Sequence, residues 1–258
     1  MAFNAVEGRS VQKHTNYFRI YDRYLAPFRG KRPRILEIGV QHGGSLQMWQ
    51  RFFDHDVELI GVDILEQCKR FEEGNVQIYI GDQSDKSFLR ELSRSIGEVD
   101  VIIDDGSHIN RHQIDTFEEL FYNNLKIDGF YICEDCHTSY WPRYGGGYRN
   151  AKSFIEFSKT LSDKINAWAA GSRKLPVDKA TRSIRSVNFY TSVVVIEKGE
   201  MTRPQHVEAG DVKIDLEQGF KDARFSGLIL LAKKSSIIQR AVRTSPFLWK
   251  VMTRILKR

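Results

Sequence analysis

Two apolar runs in this 258-residue chain each end in a pair of acidic side chains, Asp104 and Asp105 after the first and Glu134 and Asp135 after the second. Neighbouring strands of a parallel sheet lie about 5 Å apart, so acids at their carboxyl ends can converge on one point. Four carboxylates there repel one another unless they bind a cation or share protons. Their oxygen ligands favour Mg²⁺, with Mn²⁺ or Ca²⁺ as substitutes. The alternative, helix capping, explains one of the pairs but not readily both.

A histidine, His108, follows the first acidic pair closely enough to face the same pocket. The pKa of histidine lies near neutral pH, so a neutral imidazole can remove a proton from a hydroxyl group. We interpret His108 as a general base, although a lone histidine is more often structural. His112 and His137 are weaker candidates for the same role.

Glycines follow the first apolar run, in a stretch that begins at Glu37 and includes Gly39, Gly43 and Ser45. Glycine lets the backbone approach a ligand closely, and the amides at a helix start attract a carboxylate or phosphate. The dinucleotide fingerprint G-x-G-x-x-G is absent here. The spacing E-x-G-x-x-x-G resembles the S-adenosylmethionine (SAM) binding turn of class I methyltransferases.

Further acids end the second and third runs, at Asp63 and Asp82. A carboxylate in the position of Asp63 can accept both hydroxyls of a ribose, an interaction that suits SAM and NAD alike. Asp82 can take the exocyclic amine of adenine, and we assign Asp104 to the same cofactor-binding set. Each acid alone could be a helix cap or a solvated loop residue. Their common position at strand ends favours a cofactor site.

Short apolar runs separated by helical-length segments must position these groups. The runs span residues 34–38, 59–63, 76–80, 99–104 and 130–134. This rhythm is typical of βαβ units with a buried parallel sheet. The sequence therefore predicts an α/β, Rossmann-like fold with a mostly parallel doubly wound sheet and helices on both faces, and the resemblance of the glycine turn implies the class I methyltransferase form of this fold.

The domain organisation follows from the same rhythm. We expect a helical cover over residues 1–30, a catalytic core over 31–200 and a C-terminal extension over 201–258. Within the core, residues 141–186 are expected to form a mobile lid or insert. The run 187–196 can be a strand or a hairpin at the end of the sheet.

Composition sets limits on the class of protein. Hydrophobic residues make up 41% of the chain and charged residues 28%, which is ordinary for a globular enzyme. No segment is typical of a signal peptide or a membrane span, so we expect a cytoplasmic protein. The three cysteines, Cys68, Cys133 and Cys136, are an odd and sparse set that we expect to be reduced. Without a second pair, the C-x-x-C spacing does not favour zinc, and we interpret those two cysteines as packing residues.

Positive charge is concentrated at the C-terminus. Residues 233–258 contain eight basic residues and no acidic ones, which exceeds the formal charge of +6 for the whole chain. The catalytic body is therefore close to neutral, which argues against a nucleic-acid partner. Residues 237–258 mix basic and apolar residues, including Trp249. One interpretation is an interfacial helix at the inner face of the membrane; the other is a helix packed on the catalytic body or on a partner subunit.

Several of these segments resemble the metal-dependent sugar O-methyltransferases of macrolide and polysaccharide pathways, whose relatives include proteins from cephalosporin gene clusters. The resemblance is carried by residues 81–85, 104–108, Gln113 and 134–141. It covers roughly residues 13–200 and is most specific after the fourth and fifth strands. It does not extend to the basic tail.

The resemblance implies roles for particular residues. In that family the second acid of D-D-G-S-H and the E-D pair hold Mg²⁺, which corresponds to Asp105, Glu134 and Asp135. The histidine of D-D-G-S-H is the base, which corresponds to His108. Cys136 departs from the aliphatic residue that relatives often have. A homo-oligomer is a further implication.

The implied reaction is in-line transfer of the SAM methyl group to an oxygen of a sugar or glycoside, with Mg²⁺ assistance. Vicinal hydroxyls suit a divalent cation, which favours sugars, although catechols share this property. His137, Tyr140 and Trp141, with the glycine loop 145–147, can form a lid and an apolar platform for a sugar ring. The alternative for the aromatic residues is core packing.

Three other classes of protein remain open. A nicotinamide or flavin enzyme would use Asp63 similarly but would need the absent glycine fingerprint. A nucleic-acid methyltransferase would use the basic tail but would also need a basic groove on the body. A non-catalytic SAM-binding protein would not need the full set of metal ligands and base.

Overall fold

A computed structural model describes residues 8–211, Arg240 and residues 245–248. The chain divides into two compact units, one of residues 1–165 and 179–201, the other of residues 166–178 and 202–258. The larger unit contains every strand in the described part of the chain. Most of the basic tail, residues 237–258, lies outside the described residues, so its predicted helix stays a prediction.

Seven strands form one sheet in the order β3-β2-β1-β4-β5-β7-β6. Strands β1 to β5 are mutually parallel, whereas β7 runs antiparallel to both of its neighbours. The strands are β1 (Arg34–Ile38), β2 (Glu58–Asp63), β3 (Val76–Ile80), β4 (Val99–Asp104), β5 (Leu125–Cys133), β6 (Ile184–Tyr190) and β7 (Val193–Lys198). The strand order reverses between β1 and β4, where an open α/β sheet binds its ligands.

Helices cover both faces of this sheet. In the larger unit these are α1 (Tyr17–Leu25), α2 (Gly44–Phe52), α3 (Lys86–Ile96), α4 (Asn110–Thr116), α5 (Phe154–Ile165) and α7 (Lys179–Ser183), and a further short helix is α6 (Ala167–Ala170). A wider helical turn, Phe117–Phe121, continues α4, and 3₁₀ turns span Ala26–Phe28, Glu66–Phe71, Cys136–Tyr140 and Pro142–Tyr144. The helix α6 belongs to the smaller unit.

The hydrophobic core forms two layers, because alternate residues of each strand point to opposite faces. Helices α1 and α2 pack on one face, where Trp49 and Ile35 are fully buried. Helices α3, α4 and α5 pack on the other face, where Phe117 and Leu36 are fully buried. The doubly wound, mostly parallel architecture predicted from the sequence is confirmed.

The run 187–196 lies in a β-hairpin whose turn contains Thr191 and Ser192. The backbone N–H of Cys136 donates to the carbonyl of Ser192, so the hairpin turn lies beside the end of β5. Helix α5 lies in the segment for which we expected mobility, and its residues Phe154 and Leu161 are buried in the core. Among the described residues, no helix is both long and apolar enough to cross a membrane.

Candidate active site

The acidic pairs after β4 and β5 lie next to each other, as the parallel arrangement predicts. Asp104 pairs in register with Cys133, and the N–H of Glu134 donates to the carbonyl of Asp104 at 2.9 Å. Asp105 and Asp135 therefore leave the sheet at the same edge. The ligand atoms of Asp105, His108 and Asp135 all lie within 4.8 Å of one another.

Glu134 is completely buried, and both of its oxygens accept hydrogen bonds. Oε1 accepts from the hydroxyl of Tyr21 at 2.6 Å, and Oε2 accepts from the ammonium of Lys13 at 2.8 Å. Burial raises the pKa of the Glu134 carboxyl to about 8, while Lys13 and Tyr21 oppose that rise by stabilising the carboxylate. A cation beside this group therefore favours its ionised form.

Lys13 supplies such a cation. Its Nζ lies 2.6 Å from Oδ2 of Asp105 as well as 2.8 Å from Glu134, and only 2% of its side chain is exposed. Lysine is almost never fully buried unless it is paired. The ammonium thus bridges two of the three acids that the sequence predicts as metal ligands.

Asp135 and His108 form the more open side of the cluster. Tyr17 donates its hydroxyl to Oδ1 of Asp135 at 2.6 Å, and Nε2 of His108 lies 3.6 Å from Oδ2. Both residues have a left-handed backbone, with φ of 51° for Asp135 and 57° for His108. Such backbone conformations are uncommon outside glycine and are concentrated at functional sites. Within the described residues, the buried Nδ1 of His108 has no hydrogen-bond partner.

A cavity of about 590 Å³ opens at the carboxyl ends of β1 to β4. Among the residues that line it are Gly39, Ser45, Asp63, Asp82, Asp105 and His108. A Cβ on Gly39 would lie 2.2 Å from the carbonyl oxygen of Asp105, and Gly39 has a φ of 95°, so this turn requires glycine. The cavity therefore joins the predicted cofactor residues to the predicted metal ligands.

Asp63 orders the glycine turn. Its Oδ2 accepts from the backbone N–H groups of Val40 and Gln41 at 2.9 and 2.7 Å, and its Oδ1 accepts from Leu65 N–H at 2.8 Å. Asp82 also lines the cavity, and Ser84 N–H donates to it and lowers its pKa. Both carboxylates line the cavity, and backbone N–H groups hold each of them in place.

Glu37 and Asp104, two other predicted cofactor residues, lie behind the cavity wall. Glu37 accepts from Ser45 Oγ at 2.8 Å and from Trp49 Nε1 at 3.1 Å, both on α2. Burial raises the pKa of Glu37 to about 7. The fully buried Asp104 accepts from Gln83 at 2.8 Å and Tyr131 at 2.7 Å. In this arrangement the two acids support the wall of the cavity from within the core.

Three residues predicted to contact the sugar substrate follow β5. His137 and Tyr140 lie in the 3₁₀ turn Cys136–Tyr140, and Trp141 comes directly after it. Nδ1 of His137 lies 2.5 Å from Ser192 Oγ, and its ring packs edge-on against Trp141, with centroids 4.7 Å apart. Tyr140 and Trp141 are 49% and 42% exposed, so each leaves apolar surface available.

Gly43 is at the N-cap of α2 with a φ of 70°, against the ring of Phe71.

The N-terminal region contributes three site residues that the sequence pattern did not identify. Lys13, Tyr17 and Tyr21 all donate hydrogen bonds to the acidic cluster. Tyr17 and Tyr21 are four residues apart and therefore lie on one face of α1. That spacing was a usable signal, because two phenols on a buried face need acceptors.

Two relatives have a substantial match to this chain. It is 37% identical over 194 residues to 8-demethyl-8-alpha-L-rhamnosyl tetracenomycin-C 2'-O-methyltransferase of Streptomyces olivaceus, covering 72% of this chain and 50% of the relative. It is 37% identical over 195 residues to demethylmacrocin O-methyltransferase of Streptomyces fradiae, covering 69% and 47%. The chain thus spans about half the length of these relatives. No family model matches it.

A solved structure is also similar. The MycE methyltransferase of the mycinamycin biosynthetic pathway, in complex with Mg, SAH and mycinamycin VI, is 33% identical, with a TM-score of 0.64. The match covers 71% of this chain and 49% of that chain. Together with the sheet order, this likeness confirms the class I methyltransferase fold.

Proposed function

Over the matched region this chain belongs to the family of natural-product sugar O-methyltransferases, and on that premise we propose that it transfers a methyl group from SAM to a hydroxyl of a sugar or glycoside, with Mg²⁺ assistance. One observation carries the proposal. Asp105, His108 and Asp135 converge at the end of the cavity that Asp63 and Gly39 line, and the buried Glu134 is joined to Asp105 through the ammonium of Lys13.

The cluster fits a divalent cation. Its donors are carboxylate oxygens, which Mg²⁺ prefers. A positive charge, the ammonium of Lys13, already lies between Asp105 and Glu134 at hydrogen-bonding distance from both. Asp105, Glu134 and Asp135 would hold the ion.

The chain's own residues account for binding and proton transfer. Asp63 would accept the ribose hydroxyls of SAM, and the turn at Gly39 would let the cofactor approach the backbone. His108 would take the hydroxyl proton at Nε2, where the resulting imidazolium faces Asp135 at 3.6 Å. The sugar oxygen would then bond to the methyl carbon of SAM as the carbon–sulfur bond breaks, and sulfur would keep the electron pair.

The metal ion and two exposed aromatic residues would supply the remaining elements of the reaction. When bound, Mg²⁺ supplies a Lewis acid that lowers the pKa of a sugar hydroxyl and orients it. The exposed faces of Tyr140 and Trp141 would give the sugar ring an apolar platform. The relatives include 8-demethyl-8-alpha-L-rhamnosyl tetracenomycin-C 2'-O-methyltransferase, which supports a glycoside as the acceptor.

The proposal is tested with purified protein, SAM and glycosides that carry vicinal hydroxyls. Mass spectrometry should detect one added methyl group; EDTA should abolish this product and Mg²⁺ restore it, while calorimetry still detects SAM binding. A glycoside without vicinal hydroxyls is the control acceptor. Full methylation in EDTA would contradict the metal assignment.

A pair of variants localises the metal requirement. Asp135→Asn should raise the Mg²⁺ concentration needed for activity, because one anionic ligand is lost. Asp128→Asn is the matched control: it too has a left-handed backbone, but its carboxylate pairs with Arg185 away from the cluster. Equal Mg²⁺ dependence in the two variants would argue against Asp135 as a ligand.

Two further features belong to the proposal. The basic and apolar composition of residues 237–258 supports peripheral contact with an anionic membrane, worth about 1 kcal/mol per basic residue near the surface. Truncation after Ala232 should abolish sedimentation with anionic liposomes and leave methyl transfer to a soluble acceptor intact. A full-length protein that does not sediment at low salt would contradict the membrane contact.

We also propose a homo-oligomer, which analytical ultracentrifugation would detect.

A further inference from the structure

The strongest unexplained feature of the site is the position of Lys13. Its ammonium contacts Oδ2 of Asp105 at 2.6 Å and Oε2 of Glu134 at 2.8 Å, and its side chain is 98% removed from solvent. The catalytic proposal assigns it no role. A buried lysine that contacts two carboxylates is nevertheless a specific arrangement, since burial of an unpaired charge is costly.

The same two oxygens are available to the proposed metal ion. Mg²⁺ binds carboxylate oxygens at about 2.1 Å, which is shorter than either contact of the lysine. An ion that ligates both acids through these two oxygens would occupy the space that Nζ occupies. The ammonium and the ion therefore cannot use these oxygens together, and like charges in one place repel.

We propose that Lys13 is an intramolecular placeholder cation, which holds Asp105 and Glu134 together in the absence of metal and leaves when a divalent cation binds. This inference rests on the metal site of the proposed function. It assigns Lys13 a role in charge balance: its ammonium compensates the two neighbouring carboxyl groups until the divalent cation replaces it.

The surroundings of Lys13 permit such a movement. Residues 8–14 belong to no helix or strand, so this segment can shift without breaking a regular hydrogen-bond ladder. A cavity of about 260 Å³ adjoins Lys13, and it is lined by Gln12, His14 and Tyr17 as well as by the three acids Asp105, Glu134 and Asp135. Nearer the N-terminus, Arg9 pairs with Glu73 at 3.0 Å, which holds the chain near Gly8 in place. The lysine can therefore withdraw while the start of the described segment stays attached.

Chemical labelling of the full-length wild-type protein tests the displacement directly. Acetylation by a small N-hydroxysuccinimide ester is followed by mass spectrometry, in EDTA and in saturating Mg²⁺. Lys13 should be protected in EDTA and should react at least several-fold faster with Mg²⁺. Lys86, whose side chain is 52% exposed, provides the internal reference and should react equally in both conditions.

Metal affinity provides the second measurement. If the lysine occupies the site most of the time, the apparent affinity for metal equals the intrinsic affinity multiplied by the small fraction of sites that are free. Lys13→Met should then bind Mn²⁺ about tenfold or more tightly than wild type by calorimetry. Lys86→Met is the matched control, because it also removes a lysine paired with a buried carboxylate, that of Asp115, and its Mn²⁺ affinity should not change.

The outcomes separate this inference from the function it rests on. Wild-type protein that binds Mn²⁺ and Mg²⁺ while Lys13 stays protected would overturn the placeholder role and leave the metal site intact. Wild-type protein that binds neither ion would overturn the proposed metal site and this inference together. The labelling result does not depend on whether Lys13→Met folds.

Discussion

Tyr21 donates its hydroxyl to Oε1 of Glu134 at 2.6 Å, although the two residues are 113 positions apart in the chain. The bond joins helix α1 to the residue after β5 and fixes one oxygen of the carboxylate, while the other oxygen faces Lys13. Residues that orient a metal ligand in this way contribute to metal affinity without touching the metal. The N-terminal helix is therefore part of the site.

Tyr21→Phe should weaken Mg²⁺ binding by about 10- to 100-fold, the usual cost of removing a hydrogen bond to a metal ligand. Calorimetric titration with Mg²⁺ measures this change. Tyr24→Phe on the same helix is the control: it also removes a phenol, but one that bonds to the hydroxyl of Tyr190 at 2.8 Å. If both variants bind Mg²⁺ as wild type does, Glu134 is not a ligand oriented by Tyr21.

His108→Ala should lower kcat by about 10²–10⁴, the usual contribution of a positioned general base. The affinities for metal and for SAM should stay nearly unchanged, because the proposed metal ligands and the proposed SAM-binding residues do not include the imidazole. Steady-state kinetics and calorimetry on the same preparation provide the two measurements. Turnover at the wild-type rate would move the role of base elsewhere, and His137 would be the next candidate.

Asp63→Ala should weaken SAM binding by about 10- to 100-fold, because hydrogen bonds to a charged group are worth roughly 1.5–3 kcal/mol. The variant loses the ribose acceptor and also the acceptor that orders the backbone of Val40 and Gln41. Calorimetry with SAM measures the effect. Asp85→Ala removes an N-cap acceptor outside the cavity, so it should cost about 1 kcal/mol of stability and leave SAM affinity intact. Equal affinities in the two variants would contradict the assignment.

The sequence was sufficient to predict the sheet and the meeting of its acids. Buried parallel strands are continuous apolar runs, and their carboxyl ends share one edge, so the acids after β4 and β5 meet because these two strands are neighbours in the sheet. The assignment of individual residues to ligands stays a prediction.

Other parts of the site could not be predicted from the sequence. Asp104 is the last residue of β4 and bonds to Tyr131 in the core, whereas Asp105, the first residue after the strand, lines the cavity. Lys13 precedes its partners by more than 90 residues. Helical periodicity identifies the buried face of α1 but not the acceptors that Tyr17 and Tyr21 would meet.

Glu37 should make the stability of the protein depend on pH. Burial is the main reason that its pKa rises from 4.5 to about 7 in the folded protein, against the opposing effects of Lys13, Ser45 and Trp49. Between these two values the folded state binds the proton more tightly than the unfolded chain does. The stabilisation is therefore complete below pH 4.5, decreases as the pH rises and is lost above pH 7. The shift corresponds to a loss of roughly 3 kcal/mol across this range.

Glu37→Gln keeps the shape of the side chain but removes the titration. Urea denaturation of both proteins in EDTA gives the free energy of unfolding at about pH 5 and pH 8. The difference between wild type and variant should change by roughly 3 kcal/mol, with wild type losing stability relative to the variant at the higher pH. Other titrating groups are common to both proteins, so their contributions largely cancel in this difference. A difference that is the same at both pH values would show that Glu37 has the same pKa in the folded and unfolded chain.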